Sequence, residues 1–146
     1  MIINNKNDLE KLLQKLNRNI GSAMNNEVNK VTRDTMKEQI QETVYDVYSP
    51  TLYERQKDNG GLIDDDNIKT TLFDNMTLIV ENIRSDDGVN VAEVVESGEG
   101  YKFDFPYNGV PRPFTAATKE QLENTGAHKY ALYKGLKRQG IDVQVK

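Results

Sequence analysis

The residues with the most chemical potential in this chain of 146 residues are acidic. Asp64, Asp65 and Asp66 stand in a row, with Gly60–Gly61 ahead of them and Asn67 behind. Such oxygen donors are what hard cations such as calcium and magnesium take. Their spacing is not that of a calcium loop: ligand positions do not alternate, the sixth place has no glycine and the twelfth no glutamate. A second set, Glu93, Glu96, Glu99 and Asp104, has the composition of a carboxylate cluster for metal-assisted phosphodiester cleavage or general acid–base work. Read as a strand, however, Glu93 and Glu96 point to opposite faces, and Gly98 separates both from Glu99. His128 is the single imidazole and there is no cysteine. That excludes disulfides, thiolate nucleophiles, iron–sulfur clusters and Cys-ligated zinc, and a lone histidine cannot build a His-rich metal site. His128 has no G-x-S-x-G turn to serve with Ser97 or Thr125, and reads as a surface or capping residue. Gly98 and Gly100, in SGEGY, lack the third glycine and the following helix of a phosphate-cradling loop. The expectation is a protein that is not an enzyme, with no cofactor and no metal, whose acidic runs are solvated.

One basic patch is available for nucleic acid: Tyr130, Lys134, Lys137 and Arg138 near the C-terminal end. A pI near 5.1 opposes specific nucleic-acid binding, and the cations read as complement to a helix dipole. Lys and Arg number 19 against 23 Asp and Glu. The charge is segregated, with residues 1–53 at 0, 54–104 at −8, 105–128 at 0 and 129–146 at +4. An acidic middle and a basic end suit head-to-tail contact between copies. The hydrophobic fraction of 36% is below the roughly 45–50% usual for globular domains. A core this thin points to burial completed in an assembly. No stretch has the 18 or more apolar residues of a membrane span and Met1–Asp8 has no apolar signal region, so a protein made and kept inside a cell is expected.

These residues need elements to position them. Leu9, Leu12, Leu13, Leu16, Ile20, Ala23, Val28 and Val31 recur in steps of mostly three and four, which predicts one amphipathic helix over 8–48, capped by Asp8 and weakest at Gly21. Pro50 stops it. A long Pro/Gly loop follows over 49–67, with Tyr53, Leu62 and Ile63 as anchors. IKTTLFD, MTLIVENIRS and VNVAEVVES alternate and are rich in β-branched residues, so they predict a small antiparallel sheet of two to four strands over about 68–97. Asp86–Asp87–Gly88 is the stronger hairpin signal. After a Gly/Pro/aromatic loop over 98–114, helices are expected over 115–140, with Thr115 or Thr118 as cap and Gly126 between two pieces. The tail IDVQVK alternates and reads as a short strand or a loose end. The whole is one α+β domain, 1–146.

The order of these elements resembles the tail-completion, or head-to-tail joining, proteins of long-tailed bacteriophages. VVESGEG carries Glu96 and Gly98 where that family commonly ends a strand in E-x-G. PRPFTAAT carries Pro111, Pro113, Phe114 and Ala117 where the family reads proline, aromatic and a small residue opening the last helix. YSPTLYERQKDNGGLID is similar to the Pro–Tyr–Arg–Gly–Leu loop of related neck proteins, although here Asp64–Asp66 separate it from the first strand. The resemblance implies a structural virion protein with no catalytic residues, built in the bacterial host cytoplasm into a hexameric or twelve-fold ring. Its neighbours would be the portal and adaptor on the capsid side and the tail tube or terminator on the other, with DNA passing through the lumen. A tail terminator, a minor capsid accessory protein and, from another class, a metal-dependent enzyme using the acidic middle are the competing readings. On the neck reading, Glu96, Gly98 and the Pro111–Phe114 turn position the last helices. Tyr53, Arg55 and Leu62 reach a neighbour, and Lys134, Lys137 and Arg138 meet an acidic edge; loss of Tyr53 and Arg55 would leave the isolated fold intact.

Overall fold

A computed structural model of the chain describes residues 5–50 and 55–144. The architecture is α+β, and one long helix dominates it. Segments α1 (Lys6–Ala23) and α2 (Asn29–Ile40) are joined by a π-helical turn (Met24–Val28), and a second π turn (Gln41–Tyr45) ends the run. At 1.5 Å per residue the stretch 6–45 is roughly 60 Å long. Asn5 opens it by accepting the Asp8 amide at 3.0 Å, so Asp8 lies inside the first turn and is not the cap.

Strand β1 (Ile68–Phe73) pairs antiparallel with β2 (Thr77–Asn82), from Ile68 opposite Asn82 to Phe73 opposite Thr77. Asp74 and Asn75 make the turn with positive φ, a conformation that Asp and Asn tolerate better than other residues with a side chain. Gly21, the predicted weak point of the helix, is buried against this hairpin: a β-carbon there would stand 2.5 Å from Asn75 Oδ1. The helix continues through it, and the irregularity appears just beyond, as the first π turn.

The second hairpin is much smaller than its sequence signal implies. Strands β3 (Ser85–Asp86) and β4 (Val89–Asn90) pair over two residues each, making a separate two-stranded sheet. The strand expected through VNVAEVVES is a helix, α3 (Val91–Ser97), which overturns the strand boundary near 97 and the opposed faces assigned to Glu93 and Glu96. Asn90 Oδ1 accepts the Glu93 amide at 3.1 Å, and Gly98 closes the helix at φ 75°. Ala92 and Val95, three apart, are the buried pair. Valine content favours a strand; a cap at each end and an i, i+3 apolar pair outweigh it.

Helices α4 (Phe114–Thr125) and α5 (Ala127–Arg138) meet at Gly126. The core gathers Met36, Ile40, Val44 and Tyr45 from the second half of the long helix with Leu62, Ile68, Ala92, Val95 and Phe114. A second, thinner contact lays α5 across α1, where a β-carbon on Gly135 would stand 2.5 Å from that of Ala23. Small residues let the backbones approach that closely. Residues 141–144 form no strand. Among the described residues, no helix is long and apolar enough to cross a membrane.

Candidate interaction site

The E-x-G and P-x-P-F residues meet in space. Glu96, on the last turn of α3, accepts the Thr115 amide at 2.9 Å, so it caps α4 from outside. Neither Thr115 nor Thr118 is that cap: Pro113 holds the N-cap place, and the Thr118 hydroxyl donates back to the Phe114 carbonyl at 2.7 Å. A carboxylate at a helix N-terminus satisfies a free N–H and complements the dipole. The loop then folds back on α3, with the Gly109 amide donating to the Gly98 carbonyl at 2.6 Å and the Arg112 amide to the Val95 carbonyl at 3.1 Å. Pro111 and Pro113 are exposed, whereas Phe114 is fully buried and belongs to the core. Phe114 therefore offers no interface.

Two arginines hold the C-terminal end of the long helix. Arg55 donates to the carbonyls of Tyr45, at 2.8 Å, and Tyr48, and its guanidinium lies 4.9 Å from the Tyr45 ring centroid. This corrects its expected role as a side chain reaching a neighbour at no cost to the fold, because it binds carbonyls that the helix leaves unpaired. Arg112 donates to the Val44 carbonyl at 3.3 Å and the Tyr101 hydroxyl at 2.9 Å. Around them Tyr48, Tyr101, Phe103, Phe105 and Tyr107 pack edge to face or tilted, with centroids 4.6–6.4 Å apart. Burial pushes the Tyr45 phenol up from its ordinary value. Leu62 is 2% exposed and sits in the core, so it is not a loop anchor for another chain. Tyr53 lies outside the described residues. Arg112 and the aromatic cluster were missed, although Y-K-F-D-F-P-Y places a ring at every second residue from 101 to 107.

The acidic run is occupied internally. Asp64 accepts the amides of Gly60 at 2.6 Å and Asp66 at 2.9 Å. Asp65 pairs with Lys37 at 2.6 Å and Arg33 at 3.2 Å, and these two cations, Lys37 foremost, hold its carboxyl below the usual range. Among the described residues, no three His, Cys, Asp or Glu side chains group closely enough to hold a metal ion. On α5, Arg138 is turned inward to Glu27 and to Ser22 Oγ at 3.0 Å, which corrects its assignment to an external acidic edge. That hydrogen bond lowers the Glu27 carboxyl below its usual range. Lys134 and Lys137 stay exposed, over the rings of Tyr130 and Tyr133 at 5.1 and 5.3 Å. His128 is half-buried rather than at the surface, and its Nδ1 is buried with no hydrogen-bond partner.

What stays open is apolar. Leu9, Leu13 and Leu16 on α1 are 43%, 54% and 39% exposed, and their spacing puts them along one side of the helix. The hydrogen bonds between α5 and the long helix begin only at Asn19, which accepts from Gln139 at 2.7 Å. Phe73, Met76 and Ile79 on the β1–β2 hairpin are exposed as well.

Comparison with known proteins gives a family. A model of the YomN family matches residues 7–138. The SPbeta prophage-derived uncharacterized protein YomN of Bacillus subtilis (strain 168) is 40% identical over 117 residues, 78% of this chain and 79% of that protein. No solved structure matches the chain. With a match running from the first turn of α1 to the last turn of α5 and a prophage-derived relative, this chain belongs to the YomN family, one with a bacteriophage association.

Proposed function

We propose that this chain is a structural subunit of a phage particle. It assembles with copies of itself into a ring at the neck, hexameric or twelve-fold, which completes the tail end and joins it to the capsid connector. The observation that carries this is the leucine face of α1: Leu9, Leu13 and Leu16 are 39–54% exposed on a helix that the other described residues leave uncovered at that end. Covering such a face is what a neighbouring chain supplies, and apolar area removed from water is the main driving force of association. In a ring each contact is heterologous, so the α1 face of one copy meets a different surface of the next. The portal or adaptor on one side and the tail tube or terminator on the other are the remaining partners, and the assembled protein resides in the virion.

A prophage-derived relative supports this setting. So does the way the expected chemical groups are spent on the fold: Asp65, Glu96 and Arg138 all hold elements of this chain together. The test is the mass of the purified protein by light scattering on a gel-filtration column, over a concentration series, alone and with a tail-tube protein. A closed ring, alone or only with the tube, is the expected result. A monomer at every concentration, inert toward the tube and connector, would overturn the reading.

A further inference from the structure

Two apolar faces stand open among the described residues, and the fold keeps them apart. One is the leucine stripe of α1. The other is the outer face of the β1–β2 hairpin. Alternate residues of a strand share a face, and the register puts Phe73 opposite Thr77, Thr71 opposite Ile79 and Lys69 opposite Glu81 on that side. Phe73 and Ile79 are 50% and 42% exposed, and Met76, in the turn, 58%. The inner face is the covered one. Ile68 belongs to the core and Val80 packs against it, the Thr70 hydroxyl donates to Asn29 Oδ1 at 2.7 Å, and Asn75 sits against Gly21. The hairpin is therefore pinned to the long helix by its inner face, and its outer face looks away from that helix. Leu9, Leu13 and Leu16 ride on the same helix, which runs without a break from Lys6 through Gly21. They have no path round to the far side of a hairpin that the helix itself carries. Within one copy the two faces cannot meet, whereas between copies they can.

The faces match in length and in the order of their charges. Leu9 to Leu16 spans about 10 Å of helix, and Lys69 to Phe73 about 13 Å of strand. Each face is apolar at one end and has one cation and one anion at the other. On α1 these are Lys6 and Glu10, three residues before Leu9 and Leu13; on the hairpin they are Lys69 and Glu81, directly opposed and both exposed. With the charged ends together, each cation can face the anion of the other element. A helix stripe laid on a sheet face is also a stable way for both to bury apolar surface. The cleft between α2 and α5, lined by Val31, Ala127 and Ala131, is another apolar recess, but Lys30, Asp34 and Lys134 border it. A leucine stripe placed there would strip water from charges.

We infer that the leucine stripe of α1 in one copy packs on the outer face of the β1–β2 hairpin in the next, with Leu16 toward the turn and Lys6 toward the strand ends. The inference rests on the self-assembly reading and names the second surface of its contact. Six half-exposed apolar side chains fall well short of the roughly 20–30 residues a side in a stable dimer. A single such contact is therefore weak, and its repetition between neighbouring copies is what makes it count.

A weak contact is best trapped covalently, and the chain has no cysteine of its own. Leu13→Cys and Ile79→Cys chains are purified separately, mixed and oxidised. The mixture should give a disulfide-linked dimer with one chain of each kind at least tenfold faster than either variant alone, and the chain carrying both substitutions should give a ladder of linked copies. Without cysteines, the Phe73→Ala, Ile79→Ala double variant should weaken self-association tenfold or more in sedimentation equilibrium, with circular dichroism unchanged, and should add nothing to the loss caused by replacing the three leucines. Leu13→Cys linking to itself as fast as the mixture does would overturn the inference, since α1 would then pack on α1. Faster linkage of Leu13→Cys to Tyr130→Cys, beside the α2–α5 cleft, would overturn it too. A ring seen by light scattering without the Leu13–Ile79 linkage refutes the inference and leaves the ring reading standing. A Leu13–Ile79 linkage in an assembly that stops at two copies does the reverse. A chain that stays monomeric and never links refutes both.

Discussion

Replacing Gly98 with alanine tests the clasp between α3 and the loop that leads into α4. Gly98 sits at φ 75°, and a β-carbon there would meet the Val110 backbone, with the carbonyl oxygen at 2.5 Å and the nitrogen at 2.7 Å. A backbone cannot rotate aside as a side chain can, so the returning loop must shift. Gly109 is the control: its φ is 83°, and nothing lies within 4 Å of an added β-carbon. Both substitutions meet the left-handed penalty of about 1–2 kcal/mol, less about 0.4–1 kcal/mol gained by restricting the unfolded chain. Only Gly98→Ala also threatens the bonds from Gly109 to the Gly98 carbonyl and from Arg112 to the Val95 carbonyl, at about 0.5–1.5 kcal/mol each. Gly109→Ala should therefore lose about 1 kcal/mol and Gly98→Ala about 2–4 kcal/mol. At about 2–4 °C per kcal/mol for a chain of this size, the difference of about 1–3 kcal/mol should separate the two melting temperatures by roughly 2–12 °C in thermal denaturation. Amide exchange at Gly109 and Arg112 should accelerate in Gly98→Ala alone. Equal losses would refute the close approach, and with it the claim that E-x-G shapes the loop.

The triple substitution of Leu9, Leu13 and Leu16 by alanine removes a little over one leucine's worth of exposed area, so sedimentation equilibrium should show self-association weakened by about 2–3 kcal/mol, roughly 30- to 150-fold, with the monomer's melting unchanged. Arg55→Ala should lower stability by about 1–3 kcal/mol in chemical denaturation, because the carbonyls of Tyr45 and Tyr48 lose their donor. Asp65 and Glu27 both have depressed folded-state pKa values, so each contributes fully above its unfolded value near 4 and loses that contribution as the pH falls through the folded one. Urea unfolding from pH 6 to pH 3 should give a shallower acid limb for the Asp65→Asn, Glu27→Gln double variant than for the unaltered chain.

The long helix was legible because its stripe of three- and four-residue steps is long and strong, and its end at Pro50 was placed within a few residues. The β1–β2 hairpin was legible from alternation, with Asp74–Asn75 as its turn. VNVAEVVES was misread because four valines in nine residues outweigh other signals when propensity is counted. The better signal was local: Asn90 followed by Glu93 and closed by Gly98 is a helix with both caps. In the candidate site, E-x-G and P-x-P-F were legible as residues that place α4. That Glu96 is the cap was not, since it requires a contact across a loop whose path the sequence does not encode locally. Arg55, Leu62 and Arg138 were assigned outward because each lies in or beside a polar stretch. Their actual partners are the helix end, the core and Glu27, all distant in sequence except the first.

The two ends of the long helix have opposite tasks, and this gives the thin core its meaning. The second half, through Met36, Ile40, Val44 and Tyr45, supplies much of the buried apolar volume and is anchored by two arginines at its final carbonyls. The first half contributes little to that core and keeps Leu9, Leu13 and Leu16 in solvent. Helical stability in proteins comes mostly from a packed amphipathic face, yet the chain opens α1 with an Asn5 cap and carries it unbroken through Gly21 while Leu9, Leu13 and Leu16 stay exposed. Folding energy is thus concentrated at one end, and on the ring reading proposed above association would draw on the other. A substitution near the C-terminal end of the helix acts on the fold first, whereas one among the exposed α1 leucines leaves the core untouched. On that ring reading, loss of assembly without loss of structure is expected from the exposed α1 leucines and not from the buried, anchored second half.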